Sequence, residues 1–199
     1  MTETTRTLET LELVGGALCL DFVNTINSRV HPEHDYLMHY SDLIGWANKV
    51  GILSPIQANQ LQKRAKQNAE EVDKVLNKVQ RSRELLYRLF SSAKASNKDM
   101  EVFVGVYGEA ISNGWLTKDD NHYRTTWKID ETLIAVLWPI VHSAGELLQS
   151  EDLRHVKECP GCGWVFLDTS KNQSRRWCSM NTCGARDKMR RYHKRKRAK

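Results

Sequence analysis

The chain has 199 residues, of which 40% are hydrophobic and 27% are charged, and its formal net charge is +6. This composition is typical of a globular protein with its own hydrophobic core, and it excludes a low-complexity or fibrous chain. No stretch is apolar for long enough to span a membrane, and residues 1–6 contain no apolar signal segment, so we expect a cytoplasmic protein.

The first predicted elements lie between residues 8 and 27. Residues 8–14 are short and rich in apolar side chains, which predicts a strand that ends at Gly15 and Gly16. Residues 17–27 then carry apolar side chains in helical register, so we expect a helix. Cys19 lies in this apolar helix and is interpreted as a small buried hydrophobic residue without a ligand role.

Three polar residues, Asp21, Asn24 and Thr25, lie within the same turns. We interpret them as local caps and partners in buried hydrogen bonds, and the alternative is that they line a small-molecule pocket. Residues 31–39 contain three histidines and two acids, but their spacing fits no helical pair at i and i+4, and Pro32 favours a loop. The sequence therefore predicts a solvated loop there and no second metal site.

Several helix signals follow. Ser41 can cap one helix, and Ser54 followed by Pro55 is a typical start of the next. From residue 56 to about 94 the apolar spacing predicts one long amphipathic helix or two in series. Asp99 can cap a further helix.

Residues 115–129 change to a two-residue period on either side of a turn-forming Asp and Asn cluster, which predicts a hairpin. Together with the strand at residues 8–14, this hairpin would form a small antiparallel sheet. Asp130 can cap the last helix before the C-terminal segment. Pro139 lies inside that helix and should kink it, because proline removes one backbone donor.

Four of the five cysteines lie near the C-terminus. Cys159 and Cys162 form one pair, fifteen residues follow, and Cys178 and Cys183 form a second pair. This spacing is typical of a structural zinc site, and the spacer is long enough for a short β-hairpin that brings the pairs together. Four protein ligands close the site, so we expect one structural Zn²⁺ ion. Disulfides are disfavoured in a cytosolic chain, and nothing in the sequence supplies a redox partner for an iron–sulfur cluster.

A strongly basic segment follows the last cysteine. Residues 186–199 contain nine Lys or Arg and a single acid, and from residue 154 onward the formal charge is +11, against −5 for residues 1–153. Such asymmetry predicts a polyanionic partner. The segment lacks the bulky apolar face of a membrane-surface helix, so we expect nucleic acid and no membrane.

At helical spacing, Ala185, Met189 and Tyr192 share one side of this segment, and we expect that side to pack on the zinc module. The predicted nucleic-acid contacts lie on the other sides of the helix and on the spacer before the second cysteine pair. They are Lys171, Arg175, Arg176, Arg186, Lys188, Arg190, Arg191, Lys194, Arg195 and Arg197.

Residues 162–171 (CGWVFLDTSK) and 175–186 (RRWCSMNTCGAR) resemble the CGNR zinc finger of bacterial regulators. Residues 15–25 (GGALCLDFVNT) resemble the start of the ABATE domain that precedes this finger. The resemblance covers nearly the whole chain, strongly at the C-terminus and thinly over residues 30–130. It implies a family named for stress-induced transcription regulation. The naming motif Cys-Gly-Asn-Arg departs here at its third position, where Ala185 replaces the asparagine.

The predicted fold is α+β and has two parts. Residues 1–155 form a mainly helical, ABATE-like domain with a small antiparallel sheet. Residues 156–199 form a treble-clef-like zinc module, similar to the CGNR finger, with a basic C-terminal helix.

The predicted function is a zinc-containing, DNA-binding transcription regulator, with a homodimer and a small-molecule effector as further expectations. RNA binding is the first alternative, because Arg175, Arg176 and Trp177 would also suit unpaired bases. In the second alternative the N-terminal part is a ligand sensor or an enzyme, and the finger serves only localisation. The sequence contains no Walker lysine, GxSxG or HExxH motif, so we expect no enzymatic activity.

Overall fold

The computed structural model describes residues 6–91 and 95–197. These ranges are mainly helical and contain two small antiparallel sheets, which confirms the predicted α+β class. The helices are α1 (Leu18–Val23), α2 (Tyr40–Lys49), α3 (Pro55–Gln67), α4 (Ala69–Phe90), α5 (Asn97–Ser112), α6 (Leu137–Gln149) and α7 (Ala185–Arg197). The strands are β1 (Trp115–Asp119), β2 (His122–Thr126), β3 (Val156–Glu158) and β4 (Val165–Leu167).

Local capping groups set the starts of α2, α3 and α5. The helix α2 begins after His39, whose backbone N–H donates to a carboxylate three residues later, so the prediction that Ser41 caps this helix is wrong. Ser54 caps α3 as predicted. Ser96 caps α5, and Asp99 completes a capping box by accepting a hydrogen bond from the Ser96 N–H at 3.0 Å.

The long amphipathic segment forms two helices in series, which was one of the two predicted alternatives. The helix α3 ends and α4 begins at Asn68, whose φ of −135° and ψ of 61° lie outside the helical region. The predicted end of this segment, residue 94, lies outside the described residues.

The predicted strand at residues 8–14 does not form. The carbonyls of Leu8, Glu9 and Leu11 accept hydrogen bonds from the Lys49 Nζ at 2.5, 3.1 and 2.8 Å. An ammonium group on α2 therefore satisfies backbone acceptors that a neighbouring strand would otherwise have paired. Among the described residues, β1 and β2 therefore form a two-stranded sheet.

The first helix is shorter than predicted and ends at Val23. The Thr25 hydroxyl donates to the Phe22 carbonyl at 2.7 Å, and the backbone then turns into an antiparallel bridge between Ile26 and Asp35. Side chains at the helix end thus compete with further helical backbone bonds.

The predicted helix after residue 130 begins later than expected. A 3₁₀ turn, Leu133–Val136, follows Thr132, so Asp130 is not its cap, and α6 continues directly from that turn. Pro139 is the third residue of α6, where an α-helix makes no use of the backbone N–H. Pro139 therefore lies in the first turn of α6 and not in its interior, where the kink was predicted.

The short helix α1 lies between the helical part and the C-terminal module, in contact with α4, α6 and β4. Phe22 of α1 packs against Trp46 with ring centroids 5.6 Å apart, and Phe166 of β4 is fully buried in the same hydrophobic cluster. The two parts therefore share one core. Within residues 6–91 and 95–197, no helix combines the length and the apolar character needed to cross a membrane.

Candidate metal centre and nucleic-acid interface

The first cysteine pair lies in the turn between β3 and β4. The Cys159 N–H donates to the Trp164 carbonyl at 2.7 Å, and the Gly163 N–H donates back to the Cys159 carbonyl at 2.8 Å. Gly163 has a φ of 73°, which glycine adopts without steric cost. The predicted hairpin therefore exists, but its turn holds the first cysteine pair, and only its second strand, β4, lies in the spacer between the pairs.

The second pair lies where the chain enters the basic helix. Cys178 precedes a π-helical turn, Met180–Gly184, which contains Cys183 and leads directly into α7. The backbone of Gly184 donates to the Ser179 carbonyl at 3.0 Å and closes this turn. A metal bound to the two pairs would therefore anchor the start of α7.

The four cysteine sulfurs form one buried cluster. All four lie within 4.8 Å of one another, and Cys178 Sγ is 3.5 Å from Cys162 Sγ and 3.7 Å from Cys183 Sγ. A tetrahedral site with metal–sulfur bonds of about 2.3 Å spaces its sulfurs about 3.8 Å apart. No pair among these cysteines is bonded as a disulfide. The cluster fits a metal ion held by four thiolates.

Cys19 does not belong to this cluster. It is fully buried in the apolar core, and its backbone N–H donates to the Ser143 hydroxyl at 3.3 Å. Burial raises the pKa of the Cys19 thiol to about 12. The thiol therefore stays protonated, as expected for a small hydrophobic side chain.

A set of hydrogen bonds to backbone carbonyls attaches the hairpin to the segment around α1. The Trp164 indole donates to the Ile26 carbonyl at 2.6 Å, and the Arg29 N–H donates to the Cys162 carbonyl at 2.7 Å. At the other end of β4, the Leu167 N–H donates to the carbonyl of residue 15 at 2.7 Å. Residues 15–29 thus hold the metal-binding hairpin along its length.

Arg29 is a buried link between this hairpin and α4. Its guanidinium pairs with Glu84 at 2.5 Å, donates to the Val23 carbonyl at 2.6 Å and lies 4.3 Å from the centroid of the Tyr87 ring. Burial lowers the pKa of Arg29, and the charge of Glu84 opposes that effect. The sequence gives no signal for this role, because the partners are distant along the chain.

The three polar residues of the first helix region form hydrogen bonds inside the protein. Asp21 accepts from the N–H of residue 15 at 2.7 Å. The Asn24 side chain donates to the Val165 carbonyl at 2.8 Å and accepts from the Val165 N–H at 3.0 Å. The Thr25 hydroxyl also accepts from Arg83 at 3.1 Å. These contacts match the structural interpretation of the three residues.

Asp168 organises the loop between the two cysteine pairs. Its buried carboxylate pairs with Lys157 at 2.6 Å and accepts hydrogen bonds from Ser170 and from the Arg175 N–H at 2.9 Å. The hydrogen bond from Lys157 and those from Ser170 hold the pKa of Asp168 well below its usual range. The sequence signal for this role is Asp followed by Thr and Ser, which favours a local side-chain turn.

Two arginines of the spacer have different surroundings. Arg175 lies 4.5 Å from the centroid of the Phe166 ring and donates to the carbonyls of Trp177 and Cys178, so its guanidinium faces the module. Arg176 is exposed and lies 5.0 Å from the ring centroid of the buried Trp177. Lys171 is exposed as well.

The basic helix projects from the module. Asp187 is the one described residue of α7 that is buried, and it pairs with Arg190 at 2.6 Å and with Arg191 at 2.7 Å. Met189 and Tyr192 are 62% and 61% exposed. The prediction that their side packs on the zinc module is therefore wrong. The remaining predicted cations of α7 are all exposed, namely Arg186, Lys188, Lys194, Arg195 and Arg197.

The loop at residues 31–39 adds no second ligand cluster. Among the described residues, the four cysteines are the one group of three or more His, Cys, Asp or Glu side chains close enough to hold a metal ion. His31 borders an open cleft of about 330 Å³ beside Cys162, Cys183 and Arg186.

Two family models match the chain. One is ABATE, described as "Putative stress-induced transcription regulator", which matches residues 16–151, and the other is the CGNR zinc finger, which matches residues 155–196. No curated protein matches the chain. The ABATE match spans well over half of the sequence, and the second match contains all four clustered cysteines. The chain therefore belongs to the ABATE family and ends in a CGNR zinc finger.

Proposed function

We propose that the protein is a cytoplasmic, DNA-binding transcription regulator that holds one structural Zn²⁺ ion. The observation that carries the proposal is the exposed, cationic helix α7, which begins two residues after Cys183 of the cysteine cluster. Four thiolates suit Zn²⁺, and a site closed by four protein ligands leaves no position for a substrate. The proposal therefore assigns the metal a structural role and no catalytic step.

The charge distribution supports a nucleic-acid partner. Arg190 and Arg191 pair with Asp187, but α7 contains six further Lys or Arg residues. Cations on an exposed helix neutralise phosphates and release counterions, which supplies most of the affinity of a non-specific complex. Residues 154–199 carry a formal charge of +11, so the positive charge of the chain is concentrated in the finger and in α7.

Duplex DNA is favoured over RNA by the surroundings of the spacer residues. The RNA alternative depends on Arg175, Arg176 and Trp177 stacking on unpaired bases. Trp177 is buried and Arg175 faces the module, so Arg176 alone of the three is exposed. A projecting helix with cations on several sides suits the width of a B-DNA major groove. A small-molecule effector and a homodimer stay predictions within this proposal.

The proposal is tested by the salt dependence of binding to a duplex. If about six cations contact phosphates, the slope of log affinity against log salt should be near −5. Lys188→Ala and Arg195→Ala should each flatten that slope by about one. Lys63→Ala, which removes an exposed cation from α3, is the matched control and should leave it unchanged. An affinity for the duplex that does not change with salt concentration, or tighter binding to a structured RNA of equal length, would reject the proposal.

A further inference from the structure

The orientation of α7 divides its surface into a module side and an outer side. Successive residues of an α-helix are about 100° apart around the axis. Asp187 is buried and borders a cleft together with Pro160, Gly161 and Trp177 of the module, so its direction marks the module side. Ala185, Met189 and Tyr192 lie about 140–160° from it, which places all three on the outer side. All three are exposed, as this geometry requires.

Cations flank this outer apolar stripe, which we define as Ala185, Met189 and Tyr192. By the same helical spacing, Arg186 and Arg197 lie along one edge of the stripe, about 80–100° from Asp187. Lys188 and Arg195 lie at similar angles along the opposite edge. Each edge of the stripe therefore carries two exposed positive charges, and Lys196 lies about 180° from Asp187, at the C-terminal end of the stripe beyond Tyr192.

The arrangement matches a major groove in size and charge. The 13 residues of α7 span about 20 Å, and the major groove is about 12 Å wide, with a phosphate backbone on each side. A helix that enters with the stripe leading brings its two cationic edges toward the two backbones. The apolar side chains of the stripe then face base edges, where methyl groups of thymine are apolar contacts.

We propose that the stripe Ala185, Met189 and Tyr192 reads base edges in the major groove of duplex DNA and sets the sequence preference of the protein. This inference rests on the proposed DNA-binding function and adds the residues that would discriminate between sequences. The flanking cations position α7 without reading sequence, because phosphate contacts are common to every duplex.

The test uses the full-length, zinc-loaded protein and two duplexes of equal length. One is the duplex most enriched from a random pool by the wild-type protein, and the other has a scrambled sequence. The variant that carries both Met189→Ala and Tyr192→Ala should lose about tenfold in affinity for the enriched duplex and less than about twofold for the scrambled one. Its salt slope should match that of the wild type.

Two single variants serve as controls. Tyr123→Ala removes an equally exposed tyrosine, 65% exposed on β2, and should change neither affinity. Arg195→Ala removes a flanking cation and should weaken both complexes by a similar factor while it flattens the salt slope. Zinc content and thermal midpoint are measured for each variant, and the exposed positions on α7 should leave both unchanged.

The outcomes separate this inference from the proposed function. Wild-type protein that binds neither duplex would reject both. Wild-type protein that binds both duplexes equally tightly, with a steep salt slope, would overturn the reading role alone. The same conclusion follows if the double variant loses equal affinity for the two duplexes or keeps its preference. Wild-type protein that binds anionic vesicles and neither duplex would likewise reject both.

Discussion

Gly163 of the metal turn packs closely against Arg29. Its φ of 73° lies in the left-handed region, and a Cβ at this position would lie 2.6 Å from the Arg29 Cβ. Gly51, which follows α2, has a similar φ of 80°, but a Cβ there would meet nothing within 4 Å. The two glycines share the backbone requirement and differ only in their neighbours.

The substitution Gly51→Ala should therefore lower the free energy of unfolding by about 1 kcal/mol through the backbone alone. For Gly163→Ala we expect a further loss of about 1–3 kcal/mol, because the new methyl group forces Arg29 away from its partners. Urea unfolding of both variants in excess zinc measures the difference. Equal losses in the two variants would contradict close packing of Arg29 on the metal turn.

Arg83 and Asp35 form a partly buried ion pair that connects α4 to the loop after α1. The Arg83 side chain is 3% exposed, and its two terminal nitrogens lie 2.7 and 2.5 Å from the Asp35 carboxylate oxygens. Burial alone would raise the pKa of Asp35, but the hydrogen bonds and charge of Arg83 together outweigh burial and hold it below the ordinary value of 3.8. The pair therefore stabilises the fold when Asp35 is ionised.

The pKa of Asp35 is lower in the folded protein than in the unfolded chain. The ion pair therefore adds to the free energy of unfolding at pH values above the unfolded pKa, and this stabilisation is lost as the pH falls through the folded pKa. Asp35→Asn should lower the free energy of unfolding by about 2 kcal/mol at neutral pH. That difference from the wild type should shrink below about pH 4. Chemical unfolding across a pH series measures it, and a difference that stays constant down to pH 2 would refute the ionic contribution.

Glu70→Gln is the matched control for this series. Glu70 and Lys74 form a solvent-exposed pair on α4, with side chains 86% and 73% exposed. Such pairs contribute little, since water and salt screen them. The free energy of unfolding of Glu70→Gln should therefore stay close to that of the wild type across the pH series.

At the scale of elements, the hairpin of β3 and β4 is too short to be stable by itself. Two strands of three residues leave many backbone groups without a ladder partner. The Asn24 side chain makes the two hydrogen bonds that a neighbouring strand would make to Val165, because its amide pairs with both the N–H and the carbonyl of that residue. The end of α1 thus completes the hydrogen bonding of β4.

Removal of this amide should loosen the hairpin from α1. Asn24→Ala leaves two buried backbone groups of Val165 without partners, so we expect a loss of about 3 kcal/mol in the free energy of unfolding. Hydrogen exchange at the Val165 amide should accelerate accordingly. Asn77→Ala is the control, because the exposed Asn77 side chain donates one hydrogen bond, 2.8 Å long, within α4. An unchanged exchange rate at Val165 would show that the strand holds without Asn24.

At the scale of the whole molecule, the metal site and the helical part lie in one hydrophobic cluster. Cys162, Trp164 and Phe166 belong to the same buried group as Phe22 and the helices around it. A module that has too little core to fold alone is stabilised by the free energy of metal binding. Because the core is shared, the metal should stabilise the segment around α1 as well as the finger.

Metal removal should therefore destabilise more than the C-terminal module. Chelation, or Cys183→Ala, should lower the thermal midpoint and speed hydrogen exchange in α1 as well as in β4. Cys19→Ala is the control, because this buried thiol lies outside the ligand cluster, and the variant should still bind one zinc per chain. Atomic emission gives the zinc content. Full protection of α1 in a protein whose finger has unfolded would show that the two parts fold independently.

Several features of the fold follow from local sequence signals alone. Cys159, Cys162, Cys178 and Cys183 predict the metal cluster because ligand spacing restricts the local backbone to a few turns. Ser54 and Pro55 predict a helix start for the same reason, and the two-residue period predicts the hairpin of β1 and β2. Each of these signals acts between residues that are close along the chain.

Only the tertiary structure decides which long-range partner a residue takes. Lys49 satisfies the carbonyls of residues 8, 9 and 11, and no strand forms there. Asp187 rather than Met189 faces the module, so the apolar side of α7 is exposed. Arg175 has the same charge as Arg176, yet it turns inward onto Phe166. In each case the local pattern does not name the partner, and the choice depends on groups that only the folded chain brings near.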